Sequence, residues 1–176
     1  DLVRALAEAD PRADDGSQLD FRLRLSSIEA TEVTPELLAL MSDHPERIAP
    51  HLHMPLQSGD DSVLAAMNRW YDTATYLRAC DEIRDALDRP AFTADVIVGF
   101  PGEDDAAFEN TLEVVRAVGF ARMHVFPFSA RPGTAAADLG DAPRPEAVRE
   151  RRAALSEAAS EIGAEFRRSL DGARET

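Results

Sequence analysis

Four short apolar runs punctuate the chain, and between them the apolar residues change to a helical spacing. The runs are FRLRLSS at 21–27, HLHMPLQ at 51–57, TADVIVGF at 93–100 and RMHVFPF at 122–128, each of strand length. Residues 34–44, 61–69, 73–88 and 104–119 place apolar side chains three and four apart, which predicts helices. Thr34 is a suitable N-cap, and Pro35 follows it at the first helical position, where a missing N–H costs nothing. The last of these helices carries Phe108, Leu112, Val115 and Val118 on one face and should stop at Gly119. Expected strands start 29 to 42 residues apart, with a helical pattern in each gap and no hairpin signal. Repeated strand–helix units of this kind build a parallel sheet, so the fold class is α/β.

Side chains alternate across a strand, which divides each run into two faces. Leu52, Met54 and Leu56 share one face of the second strand; His51, His53, Pro55 and Gln57 share the other. Val96, Val98 and Phe100 oppose Thr93, Asp95, Ile97 and Gly99 in the third, and Phe21, Leu23 and Leu25 oppose Arg22, Arg24 and Ser26 in the first. A doubly wound sheet has helices on both faces and would be apolar on both. One polar face per parallel strand instead predicts a curved sheet lining a cavity: part of a TIM-like (β/α) barrel, with its site at the C-terminal strand ends near Gln57. His51 and His53 are spaced so that they can share an ion. No third ligand lies near them in the sequence, so an interior hydrogen-bonding role is expected, above all for His53, and no metal site is assigned.

The loops QSGDD, GFPGED and SARPGT follow the second, third and fourth strands. Their Gly and Pro residues provide tight turns, and they also let backbone amides come close to a small ligand. GFPGED lacks the lysine and spacing of a Walker loop. Its acids disfavour phosphate, so a ligand of sugar or cationic character fits better.

Charge and cysteine content narrow the reading further. The net charge is −14, and all 19 basic residues are arginine. A surface of that sign is a poor grip for nucleic acid, so an RNA substrate would need another domain to hold it. Cys80 is the single cysteine and shares a helical face with Leu77, Ile83 and Leu87, which makes it a core residue rather than a reactive thiol. With one cysteine the segment cannot build a disulfide scaffold or a Cys-rich metal site. No run is long enough to cross a bilayer and no secretory signal is visible, so a cytoplasmic location without membrane contact is expected. DLVRALAEAD reads as the last turns of a helix without an initiating Met, and the chain is expected to be a piece of a longer one.

Residues 1–140 are expected to form the sheet-bearing body, followed by a polar link at 138–146. Val148, Leu155, Ile162, Phe166 and Leu170 then make one stripe, which predicts an extra C-terminal helix, 141–170, packed on the body.

Three longer motifs, HLHMPLQSGDDSVLAAMNRWY, TADVIVGFPGED and HVFPFSARPGTAAA, occur in that order and spacing. Together they resemble the radical S-adenosylmethionine (SAM) methylthiotransferases. RLRLSSIEATEVTPELL and HVFPFSARPGT are most similar to the branch acting on threonylcarbamoyladenosine in tRNA, and less to the isopentenyladenosine and ribosomal-protein branches. The resemblance implies the second half of a radical SAM partial barrel, with 171–176 near the start of a C-terminal RNA-binding domain. It implies SAM and 4Fe–4S clusters as cofactors of the full-length enzyme, with tRNA as partner. Sulfur and a methyl group would reach adenosine C2 after a SAM-derived radical removes its hydrogen. The cluster-binding CxxxCxxC loop is absent, so no catalytic or metal-binding residue is expected in this segment, which should be inactive alone. By the same resemblance Gln57 would bond the ribose or methionyl end of SAM, Arg69 its carboxylate, and Asp95 its ribose hydroxyls. Ile97 and Gly99 would let adenine lie flat, with Glu29 or Ser27 as a further ribose contact. Arg131 is the expected substrate-side residue. A noncatalytic ligand-binding domain with a vestigial pocket is the alternative from a different class. The resemblance leaves the oligomeric state undefined.

Overall fold

The structure is a computed structural model that describes residues 2–172. Strands β1 (Leu23–Ser26), β2 (Ile48–His53), β3 (Ala91–Val98) and β4 (Arg122–Pro127) lie side by side in chain order, every neighbour parallel. A short helix, α1 (Leu2–Ala7), precedes them. The crossovers carry α2 (Pro35–Asp43), then α3 (Asp61–Ala66) and α4 (Thr73–Ala86), then α5 (Asp105–Val118). A single turn, α6 (Ala135–Asp138), and the long α7 (Pro145–Ser169) complete the chain. The expected partial (β/α) barrel with an extra C-terminal helix is what forms. Residues 173–176, most of the stretch assigned to a following domain, lie outside the described residues.

The helix boundaries follow from local chemistry. Thr34 Oγ1 accepts from the Leu37 N–H at 3.2 Å, capping α2 with Pro35 at its first position. Aspartates cap the next three helices: Asp60, Asp72 and Asp104 each accept from backbone N–H groups of a first turn. α5 stops at Gly119 in the left-handed conformation. The 3-10 turn Ala30–Glu32 and α6 have too few residues to show a period, and the sequence pattern does not reveal them.

The core lies between the sheet and its helices. Leu52, Met54, Leu56, Val96 and Val98 are fully buried on the helix side, and each such side chain contributes about 1.5–3 kcal/mol. Tyr76, Ile83 and Phe120 close over them, and Cys80 sits among these groups, its thiol pushed by burial up to about 12. α7 covers the same side of β4, where Met123 and Val125 point, and its own Leu155 is fully buried. A second cluster joins Val63, Phe100 and Ala107 to Phe128, whose ring meets Phe100 edge-on at 5.0 Å.

Two strands differ from their expected bounds. β2 begins at Ile48 rather than 51, because buried Ile48 pairs with Leu23, and regular pairing ends at His53. Pro55 then removes a ladder donor, and Gln57 reaches β3 only through an isolated parallel bridge to Val96. β1 is shorter than 21–27, covering Leu23–Ser26, and carries a register shift against β2 between Leu23 and Leu25.

Candidate functional site

Three strands leave the sheet through residues with positive φ. Ser27 follows β1 at 58°, Gln57 follows β2 at 63° and Gly99 follows β3 at 77°. That region is uncommon for residues with a side chain, and such backbone persists where its surroundings fix it. Gln57 is fixed by β3: its N–H donates to Asp95 O at 2.9 Å, and its O accepts from the Ile97 N–H at 2.8 Å. Gln57, Asp95 and Ile97 are thereby tied together toward the C-terminal end of the sheet, all half-buried, on the side away from the helices. Gly99 departs from the strand alternation that grouped it with them. A Cβ on it would lie 2.6 Å from a Val148 methyl, so the position where its side chain would stand faces α7. Its N–H donates to Glu103 Oε1 at 3.0 Å.

The open face carries a connected polar row. Asp95 Oδ1 lies 3.1 Å from His124 Nδ1, and Asp95 Oδ2 lies 3.5 Å from His53 Nε2. His53 Nδ1 meets Thr93 Oγ1 at 3.0 Å, and Thr93 Oγ1 meets His51 Nε2 at 3.2 Å. Three strands thus contribute to one chain of contacts, fixed by the pairing of His53 with Thr93 and of Asp95 with His124. His51 is held below the usual histidine range by burial, by the charge of Arg24 and by His53. The sequence reading placed His53 and Asp95 on this face but missed His124. The signal was there, since Met123 and Val125 flank it as the apolar face of β4.

Two further candidate residues, expected as separate ligand contacts, meet in the loops. Arg69 Nη1 approaches Glu29 Oε1 at 3.4 Å, joining the segment after α3 to the turn after β1. Arg69 Nε is buried without a hydrogen-bond partner, and Nη1 is the atom that meets Glu29. The neighbouring Tyr71 donates its hydroxyl to Pro55 O and Leu56 O at 2.8 and 3.2 Å, and burial pushes that hydroxyl up to about 12. Trp70 between them is 83 % exposed. Arg131 lies apart, in the exposed loop after β4, where its carbonyl accepts from Thr134.

A buried ion pair braces the loop after β3. Arg151 on α7 donates to Glu103 O at 2.9 Å, to Glu103 Oε1 at 2.7 Å and to Asp105 Oδ1 at 2.7 Å. The Glu103 side chain is 2 % exposed, and burial pushes its carboxyl up against the opposing pull of Gly99 and Arg151. In the sequence Glu103 looks like one more loop acid; its partner lies 48 residues away. A cleft of about 480 Å³ opens at the other end of the sheet, lined by Arg22, Arg24, His51, Arg89 and Phe166. The positive-φ exits lie at the strands' C-terminal ends, and the polar row runs from Asp95 in mid-sheet back to His51 beside that cleft; the C-terminal ends together with Asp95 are the candidate site.

These groups suit a nucleoside-bearing ligand: an acceptor carboxylate for hydroxyls, a flat apolar strand at Ile97 and a guanidinium for an anionic group. They do not suit an iron–sulfur cluster, because the one thiol, Cys80, is buried in the core.

Comparison with known proteins points the same way. The family model described as the radical SAM superfamily matches residues 1–115. The threonylcarbamoyladenosine tRNA methylthiotransferase MtaB of Thermotoga maritima is 40 % identical over 153 residues, 87 % of this chain and 35 % of that protein. A tRNA-2-methylthio-N(6)-dimethylallyladenosine synthase of Mycobacterium marinum is 42 % identical over 154 residues, 88 % of this chain and 29 % of its own length. The chain therefore spans about a third of the curated relatives it matches. Among solved structures, Escherichia coli coproporphyrinogen III oxidase superposes with a TM-score of 0.61 at 21 % identity, covering 78 % of this chain and 32 % of that one. Methanocaldococcus infernus Elp3 gives 0.61 at 12 % identity, covering 86 % and 42 %. At such identities the likeness is one of fold.

Proposed function

The chain belongs to the radical SAM superfamily, and on that premise we propose that it is the later part of the barrel of a tRNA methylthiotransferase acting on threonylcarbamoyladenosine. The observation that carries the reading is the 40 % identity to the Thermotoga maritima enzyme over 87 % of this chain. The open face supports it. Asp95 would accept from the ribose hydroxyls of SAM, Gln57 would bond its ribose or methionyl end, and Ile97 would back the adenine, with Gly99 bringing the backbone close. Arg69 would hold the methionyl carboxylate, its guanidinium oriented by Glu29. Bound SAM supplies the chemistry; the protein binds, orients and shields it. Cluster ligands would come from residues outside this chain. Arg131 is the proposed contact to the modified nucleoside, and the net charge of −14 leaves the main hold on RNA to other parts of the protein.

A second reading, a dimethylallyladenosine substrate, is favoured by the 42 % identity to the Mycobacterium marinum synthase. Nucleoside mass spectrometry of tRNA from a strain lacking the gene separates the two. Loss of the methylthio group from threonylcarbamoyladenosine is the expected result; its loss from dimethylallyladenosine selects the second reading. Unchanged tRNA would overturn both and leave the ribosomal-protein branch or a noncatalytic binding domain.

A further inference from the structure

While the histidines are neutral, the five-residue polar row on the open face has one arrangement of hydrogens that turns an N–H rather than a lone pair toward Asp95 at both histidines. Asp95 is a carboxylate and only accepts, so His124 Nδ1, hydrogen-bonded to it at 3.1 Å, carries a proton, and His53 Nε2, in looser contact at 3.5 Å, is favoured by the carboxylate's charge to do the same. A neutral His53 with its proton on Nε2 presents a lone pair at Nδ1, and Thr93, 3.0 Å away, must donate to it. The Thr93 oxygen then accepts from His51 Nε2–H at 3.2 Å. That leaves an unprotonated Nδ1 on His51, and this atom is buried without a partner. The reverse direction turns the lone pair of a neutral His53 toward the Asp95 carboxylate, 3.5 Å away, setting one acceptor against another. The row therefore runs one way, toward Asp95.

We propose that His53 and His124 are positioning residues. They fix the plane of the Asp95 carboxylate from two sides, while Thr93 and His51 set the tautomer of His53. A carboxylate has about four acceptor sites; the two histidines take one on each oxygen, and the remaining ones accept from a pair of adjacent hydroxyls. The row thus specifies a vicinal diol such as a ribose, and rejects a deoxyribose that offers one hydroxyl only. This inference rests on the reading of Asp95 as the ribose acceptor of SAM, but its hydrogen-bond direction can be measured without any ligand.

Nitrogen-15 histidine spectra of the complete protein, taken where the histidines are neutral, report each tautomer directly. This chain contributes four of the histidines, and single substitutions assign their signals. The expected result is Nε2–H for His51 and His53 and Nδ1–H for His124, the last being the minor form of free imidazole. A proton on His53 Nδ1 or on His124 Nε2 overturns the proposal. Calorimetric titration then tests positioning. His124 lies half-exposed on β4, so His124→Phe should fold and bind SAM about tenfold more weakly, the loss of one charge-assisted hydrogen bond. His124→Asn carries a side-chain N–H near the place of Nδ1 and should bind within about threefold of the unsubstituted protein. Equal affinity of the Phe and Asn variants overturns positioning by His124. Expected tautomers in a protein that does not bind SAM would instead defeat the ribose reading and leave the Asp95 arrangement standing.

Discussion

Two carboxylates a few residues apart have opposite surroundings. Glu103 is sealed: its side chain is 2 % exposed, and it is bonded to the Gly99 N–H and the Arg151 guanidinium. Asp95 is 31 % exposed and touched on each oxygen by a histidine that also has its own partners or solvent. The first carboxylate is committed to the fold through Oε1, which accepts from both groups and ties the loop after β3 to α7. The second has been oriented but left open to solvent. Burial among partners from the fold marks a brace, whereas fixed orientation on an open face marks a binding group.

The largest effect should come from breaking the brace. Arg151→Met leaves Glu103 buried with no cation, and denaturant unfolding should show a loss of about 3–5 kcal/mol. Replacing both partners, Arg151→Met with Glu103→Gln, should recover most of that loss. A single variant as stable as the parent would show that the pair braces nothing. Asp95→Ala should do the reverse. We expect stability within about 1 kcal/mol of the parent, and calorimetry should find SAM binding weakened by about 1–3 kcal/mol. Unchanged affinity would remove Asp95 from the site and erase the contrast with Glu103.

The smallest effect concerns pH. His51 is held below the ordinary histidine range in the folded state, first by burial, then by Arg24 and His53. Unfolding therefore takes up a proton as pH falls through the ordinary histidine value, so this contribution to stability is complete above about 6.5 and declines on acidification. His51→Gln should flatten the stability profile between about pH 7 and 5. A profile that keeps the same slope would place the acid sensitivity elsewhere.

Much of this was legible in the sequence because it depends on period. Alternation put Leu52, Met54, Val96 and Val98 under the helices and His53 and Asp95 on the other face, where they are found. Spacing gave the helices, and Thr34 before α2 gave its cap. The pattern failed where a residue leaves the period. Gly99 has turned out of the strand, and Gln57 bonds β3 from a left-handed position after the regular strand has ended. Partnerships were illegible for another reason: Glu29 with Arg69 and Glu103 with Arg151 join residues 40 and 48 positions apart, and no local rule couples them.

The parallel order of the strands also bears on how the chain reaches its structure. No two neighbouring strands are joined by a hairpin, so no part of the sheet can pair cheaply. Bringing His124 to Asp95 closes a loop across 29 residues, and bringing His53 to Thr93 closes one across 40. Closure entropy must be met before such contacts return anything, which makes folding slow for the chain's length. Each intervening crossover has to be laid down first. The polar row is therefore among the last features to form and among the first lost when a crossover opens, and histidine tautomers would report the completion of folding as a single late event.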